Sequence, residues 1–131
     1  MMLNFILEDG ENLDIPASSI LMIEENTGGK KLTNIVYSLQ QGENLMDTVK
    51  ATFGSTKKQW RDGNPQLGAL LEVTLAGETP HKLVAPETTV VARRGLKDDP
   101  DGAKVRLTLN VGGRLVSVKA QDAYDTIVGD N

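Results

Sequence analysis

Apolar and polar residues alternate in several short segments of this chain. Residues 103–111 show the pattern most clearly, because every second side chain from Val105 to Val111 is a Val or a Leu. A period of two places the apolar side chains on one face of an extended strand, so that one face is core and the other is wet. Gly112 and Gly113 follow and tolerate a positive φ, and residues 115–120 then return. The pattern predicts a β-hairpin over residues 103–120.

The first half of the chain carries a similar pattern. Residues 34–39, a turn at 40–43 and residues 45–51 predict a second hairpin. Residues 20–23 and 88–91 are more continuously apolar, which is typical of strands buried on both faces. We expect these two segments to contact the other half of the chain or another subunit.

The order of apolar positions recurs between the two halves. Leu3, Phe5 and Leu7 align with Leu71, Val73 and Leu75 at an offset of 68 residues. Other pairs at this offset are Ile15 with Leu83, Ala17 with Ala85, Met22 with Val90, Ile23 with Val91, Tyr37 with Val105, and Leu39 with Leu107. At an offset of 69, Val49-Lys50-Ala51 recurs as Val118-Lys119-Ala120. This self-similarity indicates a duplicated unit; the alternative is one β-rich domain with regularly spaced strands.

Short helices are expected after the last strand of each unit. Residues 121–128 place Tyr124, Ile127 and Val128 at helical spacing, and residues 52–60 occupy the same place in the first half. The stretch 54–68 is polar and contains Gly63-Asn64-Pro65, which indicates a connector rather than core.

The predicted fold is therefore mainly β, with two tandem β-meander units that are barrel- or sandwich-like. Residues 1–62 form the first unit with its connector and residues 63–131 the second, either as separate bodies or packed into one compact domain.

Composition narrows the classes of function. The chain has 131 residues, no cysteine and a net charge of −4, and aromatic residues make up 4% of it. The absence of cysteine excludes disulfides and cysteine-based metal sites, and an acidic chain with few aromatics is a poor nucleic-acid binder. No apolar run is long enough to span a membrane. The N-terminus lacks the basic start of a secretory signal, so we expect the chain to begin at or near Met1.

Four motifs resemble parts of catalytic or ligand-binding sites, and each has a simpler structural interpretation. His81 is the single histidine and is interpreted as a surface-loop residue, without a nucleophile motif nearby. Residues 27–31 contain Gly-Gly-Lys-Lys but lack the spacing of a phosphate-binding loop, which favours a hairpin tip. The acidic segment 98–101 is a strong turn sequence whose spacing does not fit a calcium loop. Glu24 and Glu25 point to opposite faces of a strand end, as neighbouring residues do.

Contact residues are predicted where basic or aromatic side chains interrupt polar loops. Lys30 with Lys31, and Arg93 with Arg94 and Lys97, occupy equivalent loop positions in the duplicated interpretation and together form one basic edge. Ordinary solubilising charge is the alternative. Trp60, beside Arg61, is either an exposed interface anchor or a connector residue folded back over the core. The predicted partner-binding residues are Trp60, Arg61, Lys30, Lys31, Arg93 and Arg94.

Each half resembles the very small β-rich domains typified by swarming and flagellar-type short proteins. The resemblance rests on the strand ending at Leu7, the turn at Gly10, Ile20-Leu-Met-Ile-Glu24, the hairpin around Gly42, and Val49. The second half lacks the Ile-Glu pair, having Val91-Ala92 instead. The chain is also similar, in size and composition, to virion proteins of tailed bacteriophages, such as head decoration, head–tail joining and tail components.

These observations predict a non-catalytic structural or assembly protein with no cofactor and no metal. The resemblance implies a capsid or tail component that binds neighbouring subunits or itself, and a location in the virion, or in the cytoplasm if the source is cellular. The alternative is a nucleic-acid-binding β-module that uses the loops around Lys30, Lys31, Arg93 and Arg94. An enzyme or small-molecule binder built on His81 is the third hypothesis.

Overall fold

The computed structural model describes residues 1–38 and 43–128, and this part of the chain is mainly β, as predicted. It holds ten strands and two α-helices. The strands are β1 (Met2–Ile6), β2 (Asn12–Pro16), β3 (Ile20–Glu25), β4 (Thr33–Ser38), β5 (Asn44–Val49), β6 (Leu70–Leu75), β7 (His81–Pro86), β8 (Val90–Gly95), β9 (Val105–Val111) and β10 (Arg114–Ala120). The helices are α1 (Phe53–Gly63) and α2 (Tyr124–Val128). Single-turn 3-10 helices, Ala17–Ser19 and Glu87–Thr89, precede β3 and β8.

Eight strands form one antiparallel sheet in the order β5-β4-β3-β7-β6-β10-β9-β8. β1 and β2 form a separate two-stranded sheet, and a single bridge between Leu7 and Val49 links the end of β1 to β5. The larger sheet is not closed into a barrel within the described residues, because β5 and β8 lie at its two ends. The strands of the two halves meet inside this sheet, where β3 pairs with β7.

The core consists of two clusters on either side of β3. The first packs β1, β2 and α1 against one face of β3 and β4, and includes Phe5, Ile23 and Trp60. The second lies mainly among the strands of the second half, but Met22 of β3 belongs to it. Since Met22 and Ile23 point to opposite faces and both are buried, residues 20–23 are buried on both sides, as predicted.

The predicted hairpin over residues 103–120 is confirmed. β9 alternates buried and more exposed residues, and β10 returns antiparallel to it. Gly112 and Gly113 form the turn with φ of 58° and 88°, a conformation that side chains with a Cβ rarely adopt. The predicted turn around Gly42, with Leu39, lies outside the described residues.

The predicted helices after β5 and β10 are confirmed, but the polar connector is partly wrong. The Thr52 side chain accepts a hydrogen bond from the Ser55 N–H at 3.2 Å and caps α1. One face of α1 is buried through Phe53, Thr56, Trp60 and Gly63. The spacing of these residues is helical, so the polar residues between them lie on the solvent face.

Two details of the predicted internal alignment are also wrong. β1 pairs with β2 so that Met2 faces Pro16, and β6 pairs with β7 so that Leu70 faces Pro86. If these two pairs correspond, β1 and β6 are 68 residues apart but β2 and β7 are 70 residues apart. The predicted constant offset of 68 therefore does not hold. Residues 88–91 are not a buried strand either, because β8 is an edge strand and Val91 is 56% exposed.

Candidate assembly interface

Two strands, β8 and β2, have an edge with no strand pairing at all in the described part of the molecule, whereas the facing edges of β1 and β5, and of β6 and β10, are joined by one residue pair each. β8 pairs only with β9, and β2 pairs only with β1. An unpaired edge presents a row of backbone N–H and C=O groups that a further strand can bind. These two edges are the candidate sites for assembly.

The β8 edge is basic and partly apolar. Arg94 is exposed, and Arg93 is half-buried with an Nε atom that is buried and has no hydrogen-bond partner. Val91 and Tyr124 are the exposed apolar residues beside them, 56% and 42% exposed. An open groove of about 280 Å³ follows this edge and is lined by Val90, Val91, Ala92, Arg93 and Tyr124.

The β2 edge is acidic. Asp14 is exposed on β2, and Glu11 is exposed immediately before the strand. The Asn4 amide of β1 donates a hydrogen bond to the Asp14 Oδ1 at 2.5 Å. Ile15, on the opposite face of β2, is buried in the first core cluster, so the alternation of the strand leaves Asp14 facing outward.

The structure does not bring the predicted basic residues together. Lys30 and Lys31 are exposed in the turn between β3 and β4, which confirms the hairpin tip. Arg93 and Arg94 lie within β8 instead of in a loop, five positions away from β3 in the sheet order. The single basic edge was wrong because Arg93 and Arg94 lie within β8 at one end of the sheet, whereas Lys30 and Lys31 lie in the β3–β4 turn.

Trp60 has no exposed surface, so the interpretation as a residue folded over the core is the one that applies. It is not available to a partner in this structure, whereas its neighbour Arg61 is exposed and its Nη2 donates to the Gly68 carbonyl at 3.4 Å. A role for Arg61 in binding stays a prediction.

His81 is in β7, not in a surface loop. Its Nε2 lies 2.5 Å from the Glu24 Oε2 of β3, and its Nδ1 lies 3.0 Å from the Thr79 carbonyl. Burial lowers the pKa of His81, but the Thr79 carbonyl and the carboxylates of Glu24 and Glu25 outweigh burial and raise it above the usual 6.5. His81 therefore belongs to the contact between the two halves.

The acidic turn at residues 98–101 is neutralised from within the chain. The Lys119 Nζ lies 3.1 Å from an Asp99 oxygen and 2.7 Å from an Asp101 oxygen. The second Asp99 oxygen accepts hydrogen bonds from the backbone N–H groups of Asp101 and Ala103. The Lys119 hydrogen bond lowers the pKa of Asp99. Among residues 1–38 and 43–128 there is no group of three His, Asp or Glu side chains placed to hold a metal.

Comparison with protein families, with characterised proteins and with solved structures finds no match. Within the described residues, no helix is long and apolar enough to cross a membrane. The β2 edge was not predicted from the sequence, because Glu11 and Asp14 are unremarkable charges until the strand pairing leaves their edge open. At β8 the signal available in the sequence was the basic pair Arg93-Arg94, which follows the apolar residues 90–92 directly.

Proposed function

We propose that this chain is a non-catalytic assembly protein whose exposed strand edges bind neighbouring protein subunits. The observation that carries the proposal is the presence of unpaired edges on β2 and β8, which differ in charge, together with the exposed Val91 on β8. Strand addition to such edges provides main-chain hydrogen bonds, and side chains along the edge then select the partner.

The proposal includes a duplicated architecture of two tandem units. In support of it, both halves follow the order strand, strand, 3-10 helix, three strands, helix. The pairing of β3 with β4 is irregular between Ile20 and Met22, and that of β8 with β9 is irregular between Val90 and Ala92. The bridge from Leu7 to Val49 also has a counterpart, which joins Leu75 to Ala120. The predicted boundary between residues 62 and 63 falls at the last residue of α1.

A capsid or tail component of a virion is the particular form of this proposal. Its support is the resemblance in size, acidity and β content to small virion proteins, together with the open edges that a repeating shell or tube requires. Capsid or tail neighbours, or copies of the chain itself, are the partners that this form of the proposal implies.

The nucleic-acid-binding alternative has less support. It requires Lys30 and Lys31 to act together with Arg93 and Arg94, but the lysines lie in the β3–β4 turn and the arginines lie on β8, five positions from β3 in the sheet order. The acidic β2 edge would also repel a phosphate backbone.

Sedimentation of a lysate of the source cells or virions tests the assembly function. We expect the chain to sediment in a particle much heavier than its own 14.2 kDa, and electron microscopy of that particle locates it. Val91→Lys places a charge on the β8 edge and should release the chain to the monomer fraction. Leu115→Lys is the matched control, because Leu115 is 66% exposed but lies on β10, which is neither of the two candidate edges. A chain that sediments only as a monomer contradicts the proposal.

A further inference from the structure

We propose that copies of this chain associate head to tail, with β8 of one copy pairing with β2 of the next. The pairing follows the register that β3 and β7 already use inside the chain. This inference rests on the proposed assembly function and specifies its partner as a second copy of the chain. Contacts inside the molecule provide a template for this pairing.

The strand registers identify which residues correspond. In the first half Met22, Ile23 and Glu24 face Val36, Ile35 and Asn34; in the second half Ala92, Arg93 and Arg94 face Thr108, Leu107 and Arg106. Arg93 therefore stands where Ile23 stands, and Arg94 where Glu24 stands. The pairs Met2–Pro16 and Leu70–Pro86 likewise place Asp14 where Val84 stands and Leu13 where Leu83 stands.

The contact between the halves then predicts the contact between copies. Ile23 faces Val84 across the internal joint, and both side chains are fully buried. The corresponding pair between copies is Arg93 facing Asp14, so an apolar pair is replaced by residues of opposite charge. Directly opposite residues of antiparallel strands lie on the same face, close enough for an ion pair.

The contact between His81 and Glu24 across the joint also has a counterpart between copies, in which the charges of the two strands are exchanged. Inside the chain the His81 Nε2 lies 2.5 Å from the Glu24 Oε2. The Leu7 N–H donates to the Glu11 carbonyl at 2.7 Å, and Leu75 faces His81, so Glu11 occupies the position of His81. Between copies, Glu11 therefore meets Arg94. Both ion pairs of the proposed contact have their positive member on β8 and their negative member on β2.

The exposed apolar residue Val91 would be covered in the proposed contact. Leu21, at the irregularity of β3, packs against the core cluster of the second half. Val91 occupies the corresponding position on β8 and is 56% exposed. In the proposed contact Val91 packs on the first half of the next copy, as Leu21 packs within the chain.

Charge selects this pairing over symmetric ones. Two β8 edges would bring arginines together, and two β2 edges would bring Glu11 and Asp14 together, so both arrangements are repelled. Charges of one sign on a strand edge commonly prevent two such edges from pairing, whereas edges of opposite charge attract each other. A contact between different surfaces leaves a free edge at each end, so it generates a series or a closed ring of copies.

Charge-reversal variants of the purified full chain provide the test. Mass is measured by light scattering and sedimentation from about 10 µM to about 1 mM, a range in which weak contacts dissociate. We expect the average mass of the wild type to rise with concentration, and to fall when added salt screens the ion pairs. Arg93→Asp with Arg94→Glu, or Glu11→Arg with Asp14→Arg, should each leave a monomer.

Mixing the two double variants is the decisive measurement. The reversed β8 of one is complementary to the reversed β2 of the other, and their unaltered edges are also complementary, so the mixture should regain the mass of the wild type. Lys30→Asp with Lys31→Glu is the matched control, since it reverses two charges away from both edges and should leave association unchanged. Near-ultraviolet circular dichroism and the fluorescence of Trp60 confirm that each variant is folded.

A wild type that stays monomeric throughout, double variants that associate like the wild type, or a mixture that stays monomeric would each overturn the head-to-tail contact. If the purified chain is monomeric while the chain in lysate still sediments in particles, this contact is wrong and the assembly function survives. If the chain is monomeric in both, both proposals fail.

Discussion

Tyr37 combines burial with a polar partner at a single residue. Its side chain is 4% exposed in the first core cluster, and its hydroxyl donates to the Asp47 Oδ2 at 2.5 Å. Burial and then the hydrogen bond to the Asp47 carboxylate raise the pKa of Tyr37 to about 12. The folded protein therefore holds the proton more tightly than the unfolded chain, in which the pKa is about 10.

The raised pKa of Tyr37 should affect how the free energy of unfolding depends on pH. A raised tyrosine pKa contributes stability that is fully present below pH 10 and is lost as the pH rises towards 12. Tyr37→Phe should lower the free energy of unfolding by about 1 kcal/mol at pH 7, the net value of one hydrogen bond. The deficit should narrow between pH 10 and 12 in urea titrations. Tyr124→Phe, at an exposed tyrosine, is the control; parallel curves for wild type and Tyr37→Phe would refute the assignment.

Trp60 shows why sequence reasoning at one residue was undecided. Its immediate neighbours Gln59 and Arg61 are polar, which made an exposed position in a connector as reasonable as a buried one. In α1 those neighbours lie on other faces, while Phe53, Thr56 and Trp60 share the buried one. Helical spacing was present in the sequence, but a short polar helix gives a weak periodic signal.

At the level of elements, the strands were predicted more accurately than the residue-by-residue correspondence between the two halves of the chain. The alternation in residues 105–109 and the double burial of residues 20–23 were both correct, because the period of two depends only on local pleating. The constant offset failed because loops between corresponding strands differ in length. A shift of two residues preserves the face on which a side chain points, so the wrong alignment still looked apolar.

The β9–β10 turn offers a prediction with a built-in control. A Cβ on Gly112 would lie 2.5 Å from the Asn44 Oδ1 and 2.9 Å from the Leu21 Cδ1, whereas a Cβ on Gly113 would meet nothing within 4 Å. Asn44 also donates to the Val111 carbonyl at 2.8 Å and so ties β5 to this turn.

Both glycines have a positive φ, so replacing either one with alanine strains the backbone by about 1 kcal/mol. Gly112→Ala should lose more free energy of unfolding than Gly113→Ala, because only the former displaces Asn44 and Leu21. Urea titrations of the two variants measure the difference, and equal losses would show that the close approach has no energetic weight.

For the whole molecule, the candidate interface was the least predictable feature. Arg93 and Arg94 were selected from the sequence as basic residues, but Glu11 and Asp14 were not selected. Complementarity between β8 and β2 becomes visible only when the sheet order shows which edges are open and the internal contact shows which residues would meet. Both depend on long-range pairing, which local patterns do not encode.

The joint between the halves, where β3 pairs with β7, includes the contact between His81 and Glu24. The net effect of its surroundings raises the pKa of His81, although burial opposes this. A raised histidine pKa contributes stability that is fully present below the unfolded pKa of about 6.5 and is lost as the pH rises through the folded value.

The free energy of unfolding should therefore fall as the pH rises from about 6 to 8, by about 1 kcal/mol at most because the pair is partly exposed. Glu24→Gln should weaken this dependence, with the Thr79 carbonyl and Glu25 still raising the pKa of His81, and Glu78→Gln, an exposed acid in the β6–β7 turn, should leave it unchanged. Trp60 fluorescence reports on the first half, and far-ultraviolet circular dichroism on both, so coincident transitions would show that β3 and β7 make the halves unfold together. A pH slope as steep in Glu24→Gln as in the wild type would mean that the Glu24 contact does not raise the pKa of His81. Separate transitions would mean that the joint is weaker than the halves it connects, in which case the same pairing between copies would be weaker still.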